Sequence, residues 1–223
     1  MPGDKTLPQP VEHFPALALE AREEEVPLTG LLVRDQDLTG ADLSGLELRS
    51  VTFEHCRFPG CDWWGASFTD VSFHTCDLSG GRFDGSWWLR FALTDCRGLG
   101  MRLPRARMRQ GSITGCRLSE AQFGGGKLRE THFSDCDLTG AAFSECVFQK
   151  IELTRCDLTR ASFVHTLLKG VDLTTCAIDA LVLRRGEAKK AKNFAEADRI
   201  REELKAQGIE VTDVPGGAVW KRM

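Results

Sequence analysis

No stretch of this sequence approaches the roughly 20 consecutive apolar residues that a membrane-crossing helix needs; its uncharged apolar runs are a few residues long. Met1 to Pro10 hold no basic segment followed by an apolar run, the pattern of a secretory leader. The expectation is a cytoplasmic, unprocessed protein with no membrane partner. Charge of one sign is also scarce: 29 Lys and Arg stand against 32 Asp and Glu, a net of −3. That balance names no partner, so an electrostatic argument must come from where the charges sit. Catalytic and metal signatures are missing as well. There is no CxxC, HxH, HExxH or GxSxG, and Gly124, Gly125 and Gly126 lack the Lys-Ser/Thr of a phosphate-cradling loop. The histidines His13, His55, His74, His132 and His165 are scattered and read as surface residues. We expect no catalytic residue, no cofactor and no metal.

What is present is a period of five. Large apolar residues recur from Leu28 through Val33, Leu38, Leu43, Leu48 and Phe53 to Leu183, with one gap at Gly98. A helix repeats its apolar face at 3.6 residues and a strand at 2, so an unbroken five fits neither. The backbone must turn a corner once per repeat. Two residues before each large centre stands a small or apolar one, such as Ala41, Cys56, Ala66, Val71 or Ala121, and polar residues fill the rest. That is two positions in and three out, with Gly40, Gly60, Gly80, Gly140 and Gly170 at the expected bends.

Nine cysteines count the repeats per turn. All take the small inward position, and seven are spaced by 20: Cys56, Cys76, Cys96, Cys116, Cys136, Cys156 and Cys176. Four repeats per turn stack these in one column, rungs about 4.8 Å apart, in a square coil of roughly eight turns. A straight column cannot surround a tetrahedral ion, so the thiols read as core filling. Both ends of such a coil need caps.

Ala41-Asp42-Leu43-Ser44-Gly45, Cys76-Asp77-Leu78-Ser79-Gly80 and Cys136-Asp137-Leu138-Thr139-Gly140 match the A(D/N)LXX motif, and residues 28–183 resemble the pentapeptide repeat family. The resemblance implies an all-β right-handed quadrilateral β-helix. For function it implies a binding scaffold: members with a known mechanism imitate duplex DNA and shield type II topoisomerases.

Numbering modulo 20 sorts the charges by side. The cysteine-column side (35–39 to 175–179) carries eight acids, among them Asp77, Asp135, Asp137, Asp157 and Asp179, against four arginines, a net of −4. The opposite side (45–49 to 165–169) carries Arg49, Arg105, Arg107, Arg109, Lys127, Arg129 and Lys169 against Glu47 and Glu145, a net of +5. Trp87 on the basic side and Trp64 beside it interleave aromatics with arginine, as single-stranded nucleic acid or protein partners require. The bland alternative is that these stems cover a solvated sheet.

Residues 1–27 are Pro-rich around a helical stretch, Ala16 to Glu25, ended by Pro27, and read as an N-terminal cap over the strand edges. After Leu183 the five-period stops. Glu187 to Gln207 has helical spacing at Ala191, Phe194, Ala197, Ile200 and Leu204, then Gly208 as a stop and a hairpin around Pro215-Gly216-Gly217. Residues 184–223 thus form a small α+β module. Arg185, Ala188, Lys192, Asn193-Phe194-Ala195, Ala197-Asp198, Ile200-Arg201, Leu204, Gly208-Ile209, Asp213, Gly217 and Trp220 resemble the C-terminal extension of cysteinyl-tRNA synthetase. The resemblance implies anticodon contact through Lys189, Phe194, Asp198 and Asp213, with Lys189 where the synthetases carry Arg. The synthetase's catalytic signatures are absent, so no aminoacylation is expected. The alternative for the module is a cap that has lost RNA binding.

Three readings follow: a non-catalytic binder of tRNA or other RNA, through the tail and the basic side; a DNA mimic that occupies a type II topoisomerase (DNA gyrase) with its acidic side; and a scaffold for a protein docked on Trp64 and Trp87. Self-association as a homodimer through a solenoid end fits any of them.

Overall fold

The computed structural model describes residues 9–173, 175, 176, 185, 188, 189, 191–206, 209–214 and 217–222, and only the backbone at 203, 206, 209, 213, 214 and 217–222. A single 11-stranded sheet winds through it. Its strands are β1 (Gln9–Val11), β2 (Leu28–Thr29), β3 (Leu31–Arg34), β4 (Glu47–Arg49), β5 (Thr52–Glu54), β6 (Ser67–Thr69), β7 (Ser72–His74), β8 (Trp87–Thr94), β9 (Arg107–Thr114), β10 (Lys127–Ser134) and β11 (Val147–Thr154). From β3 onward, pairing is parallel and always offset by 20. Phe53 meets Phe73, which meets Leu93, then Ile113, Phe133 and Leu153. The other two sides keep the same register through single bridges, Asp37 to Arg57 to Asp77 on one and Asp42 to Asp62 to Arg82 on the other. The β-solenoid expected from the five-period is therefore the fold.

Its interior is made of ladders. Aromatic centres one turn apart stack face to face: Phe53 on Phe73 at 4.8 Å, Phe68 on Trp88 at 3.9 Å and Phe123 on Phe143 at 4.6 Å. The inward cysteines are buried. At the one gap in the series, Gly98, a Cβ would meet the Leu118 and Met101 side chains at 2.7 Å. The missing centre is thus filled by its neighbours.

The bends are more general than glycine. Gly40, Gly60, Gly80, Gly140 and Gly170 have φ between 64° and 80°, but Asp35, Ser50, His55, Arg90, Arg105 and Lys150 hold the same left-handed conformation at the same step of the repeat. An L side chain there costs roughly 1–2 kcal/mol. The corner persists because its N–H is fixed to the next turn, as Arg105 N–H is to the Gly124 carbonyl at 2.9 Å.

The N-terminal end needs one correction. The N-terminal helix α1 runs Phe14–Glu23 rather than Ala16 to Glu25, because Phe14 is fully buried and anchors its start. Ahead of it, β1 adds in parallel to β3, and Gln36 holds the junction by donating to the Val11 carbonyl (2.7 Å) and accepting the Phe14 N–H (3.0 Å). At the other end, the strand-bearing sides hold seven rungs among the described residues, where roughly eight were expected at a spacing of about 4.8 Å. No described strand pairs the outer edge of β11. Hydroxyls take its place: Thr166 Oγ1 accepts the Cys146 N–H at 2.8 Å and Thr175 Oγ1 the Arg155 N–H at 3.0 Å. Ile178, Asp179, Leu183 and the expected boundary at 183/184 lie outside the described residues.

In the tail, helix α2 (Phe194–Ala206) is followed by β12 (Ile209–Val214) and β13 (Gly217–Arg222), an antiparallel pair. The helical stretch expected from Glu187 to Gln207 is interrupted: Ala188 and Lys189 are helical, and α2 starts at Phe194. Lys192 turns left-handed (φ 58°), and the Asn193 side chain then accepts the Glu196 N–H at 3.2 Å, a cap that starts the helix afresh. Ala197, Ile200 and Leu204 are buried. Gly208 and Pro215-Gly216 lie outside the described residues.

Candidate functional site

On the basic side, the 20-residue register turns a sequence list into columns. Trp87, Arg107 and Lys127 are directly paired on successive rungs, and Arg109 and Arg129 are paired beside them. Columns two residues apart stand about 6.6 Å from each other and rungs about 4.8 Å, so these cations form one compact patch. Arg105 joins it from the corner. Arg105, Arg107, Arg109 and Lys127 are exposed, and none of them forms an ion pair with a described residue. Arg129 lies 3.3 Å from Glu130. The rest of the +5 side is not part of the patch: Arg49 is held by Glu47, and Lys169 lies past the last described strand. Trp87 is 41% exposed and Trp64 57%. They flank the corner formed by Gly65 and Gly85, where a Cβ would meet nothing within 4 Å. Aromatic surface and positive charge thus adjoin.

The acidic side is different. Asp77 accepts the Ser79 N–H at 3.0 Å and Asp157 the Thr159 N–H at 2.9 Å, each closing its own turn. Asp137 accepts from the Thr139 N–H (2.9 Å) and the Ser119 hydroxyl (2.7 Å). Partial burial works to raise its pKa, but those hydrogen bonds outweigh it and the net shift is downward. Asp135 receives a bidentate pair from Arg155, both bonds 2.7 Å. Along the column the order is Asp37, Arg57, Asp77, Arg97, Arg117, Asp137, Asp157, so the carboxylates are interrupted by guanidinium groups. These acids serve the turns and the rung-to-rung pairing, which the sequence counted only as charge.

The Arg155 hydrogen bonds, then its charge, hold the Asp135 carboxyl below its ordinary range. A depressed folded-state pKa gives stability that is present above the unfolded value, near 4, and is lost as pH falls through the folded one. Arg155→Gln is therefore expected to move the Asp135 carboxyl back toward its ordinary pKa and to weaken the acid sensitivity of folding. Carboxyl-carbon NMR titration with melting curves between neutral pH and about pH 2 measures both, and an unmoved Asp135 resonance would contradict it.

In the tail, Phe194 and Asp198 are exposed one turn apart on α2, and Lys189 is a helical residue ahead of the turn at Ala191 and Lys192 that precedes α2. Phe194 is 60% exposed, so it is not a core residue. Asp198 lies 3.7 Å from Arg201. Asp213 falls on β12 opposite Ala218; its side chain and that of Trp220 lie outside the described residues. Among the described residues there is no His/Cys/Asp/Glu group of three or more that would hold a metal ion, and no helix long and apolar enough to cross a membrane.

Two family models match the chain: "Pentapeptide repeat region" over residues 106–183 and "Pentapeptide repeats (8 copies)" over residues 47–85. A further stretch is similar to cysteine–tRNA ligases. It is 59% identical over 46 residues to that of Thioalkalivibrio sulfidiphilus, covering 21% of this chain and 10% of the ligase. To that of Halorhodospira halophila it is 60% identical over 45 residues, covering 20% and 10%. The chain thus spans about a tenth of the ligases' length. Among solved structures, QnrB1, a plasmid-mediated fluoroquinolone resistance protein, is 25% identical over 77% of this chain and 89% of its own, with a TM-score of 0.34. The pentapeptide repeat protein Rfr23 from the cyanobacterium Cyanothece 51142 is 10% identical over 74% and 99%, with a TM-score of 0.36.

Proposed function

We propose that this chain, which belongs to the pentapeptide repeat proteins, is a non-catalytic binding protein whose ligand is RNA, with a tRNA-like loop met by residues 184–223 and its flanking phosphates met by the solenoid of residues 28–183. The observation that carries the reading is the patch of Arg105, Arg107, Arg109 and Lys127, free of ion pairs with described residues and adjoining the half-exposed Trp87. Phosphates pay the desolvation of such a patch with released counterions, and an unpaired base stacks on an open indole face. The ligase-like stretch supports the same ligand class, since Phe194 is open for stacking and Lys189 and Asp198 stand close to it in sequence. Aminoacylation is not part of the proposal, because the matched tenth of the ligases excludes nine-tenths of their length.

The topoisomerase reading ranks second. A DNA mimic offers its carboxylates in place of phosphates, whereas Asp77, Asp137 and Asp157 accept hydrogen bonds within their own solenoid turns and Asp135 is bound by Arg155.

Binding of the full chain to labelled total tRNA across a salt series tests the proposal. Salt-sensitive binding is expected, with the R105E/R107E/R109E variant weakening it at least 100-fold and Phe194→Ala by about 5–150-fold, the worth of one stacked base. Unaltered binding by both variants, or none at low salt, would overturn it; inhibition of gyrase supercoiling in the same preparations would then favour the second reading.

A further inference from the structure

Seven of the nine cysteines are used by nothing described so far, and their arrangement is unlike that of the other two. In the column that runs from Cys56 to Cys176 at steps of twenty, each sulfur repeats one pose. Cys96 Sγ donates to the Phe73 carbonyl (3.4 Å) with Thr94 O at 3.3 Å, and Cys116 Sγ to the Leu93 carbonyl (3.5 Å) with Thr114 O at 3.4 Å. Cys136 Sγ has Ile113 O and Ser134 O both at 3.3 Å. Partners shifted by twenty residues at matching distances mean that sulfurs on neighbouring rungs differ by the rung translation alone, about 4.8 Å. Cys61 and Cys146 have no thiol above or below, since Ala41, Gly81, Gly126 and Thr166 occupy those places.

That spacing suits one kind of ligand. A disulfide needs Cβ atoms about 3.5–4.5 Å apart, closer than an unstrained rung permits. A tetrahedral zinc needs four donors, which the apolar surroundings of the column do not supply. A two-coordinate ion needs two sulfurs in line, and with metal–thiolate bonds of about 2.3 Å it spans about 4.6 Å. The inward Cβ–S bonds run across the solenoid axis, so an ion between two rungs meets each sulfur from the side, where its lone pairs lie. Charge decides which ion. A buried net charge is expensive; two thiolates carry −2 and leave a divalent ion neutral.

We propose that the cysteine column is a binding site for a soft, two-coordinate divalent ion, the mercuric ion being its chemical type, held as a linear dithiolate between adjacent rungs. Each event exchanges two S–H protons for two S–Hg bonds, with both protons going to solvent and no change of oxidation state. Entry is expected at the C-terminal end, where Cys176 is 7% exposed and no described strand covers β11.

Titration of the reduced full chain with mercuric chloride tests this, with the thiolate-to-mercury ultraviolet band, proton release and native mass spectrometry as readouts. Seven thiols in line hold at most three such pairs, so saturation at up to three ions is expected, with two protons released per ion, an unchanged far-ultraviolet β signal and a raised melting temperature. The C76A/C116A/C156A variant leaves column thiols two rungs apart, about 9.6 Å, and is expected to lose at least 100-fold in affinity. C61A/C146A is expected to bind like the parent. Alanine already fills the same inward position at Ala121 and Ala141, so these variants keep the fold. Equal binding by the triple variant, or uptake only as the β signal disappears, would overturn the site.

Discussion

Replacing Phe14 with alanine is expected to cost about 3–5 kcal/mol of folding stability, the range for truncating a fully buried phenylalanine, and to leave a protein that aggregates from its N-terminal end. Phe14 is 0% exposed and packs edge-on against Phe53, ring centres 5.2 Å apart at 87°. Phe53 in turn stacks on Phe73, so Phe14 closes the first interval of an aromatic ladder. Its backbone N–H is bonded to Gln36, and β1 just before it pairs with β3. Loss of the ring therefore loosens both helix α1 and the strand that covers β3, and an uncovered strand edge is a template for a second chain. Urea denaturation followed by tryptophan fluorescence, with light scattering on the same samples, checks both parts. A loss under about 1 kcal/mol would show that α1 is ornamental, since even modest core truncations exceed that.

Gly111→Ala is expected to destabilise by about 3 kcal/mol, the upper end of the usual overpacking penalty. The reason is local. Phe91 occupies an inward place that the other turns give to the smaller Leu31, Val51, Val71, Gly111, Thr131 and Ile151, and its ring centre lies 5.3 Å from that of Trp88. Gly111 stands one rung above, and a Cβ there would meet Phe91 Cζ at 2.0 Å and Cε1 at 2.1 Å. Neither the ring nor the paired strand has room to retreat, since Phe91 is 3% exposed. If this account holds, Phe91→Ala rescues part of the loss, and a double-mutant cycle gives a coupling of about 1–3 kcal/mol. Additive single and double variants in thermal denaturation would refute it.

The period of five, the four-sided turn and the cysteine column were legible because one repeating step sets the fate of every inward residue: Phe53, Phe58 and Trp63 are buried for the same reason of phase. The corners were not, because glycine is the only residue whose chemistry announces a left-handed φ, while Arg105 and His55 adopt it under compulsion from the neighbouring turn. Leu168 and Leu173 keep the apolar phase beyond the last described strand pairing, because apolar phase alone carries no information about the ladder's hydrogen bonds. In the candidate site the basic residues were found by counting, but the difference between Arg107, without an ion-pair partner among the described residues, and Arg155, bound to Asp135, lies in which charge stands one rung away. Phe194 could not be assigned to core or surface from spacing, because the turn at Lys192 resets the helix before it.

The twenty-residue register also makes chain length a measure of angle. An insertion of five residues between Trp87 and Arg107 would lengthen the coil by one side and rotate everything after it by a quarter turn, carrying Arg107 and Lys127 out of the tryptophan's column while leaving every inward residue inward. The inward phase would survive, but the surface columns and the interior ladders would both be re-registered, and any residue with a Cβ set in the place of Gly111 would meet Phe91. An insertion of twenty would restore the alignment and raise the later rungs by about 4.8 Å. Burial thus reads the chain in fives, whereas the interior ladders and the face a partner meets both read it in twenties.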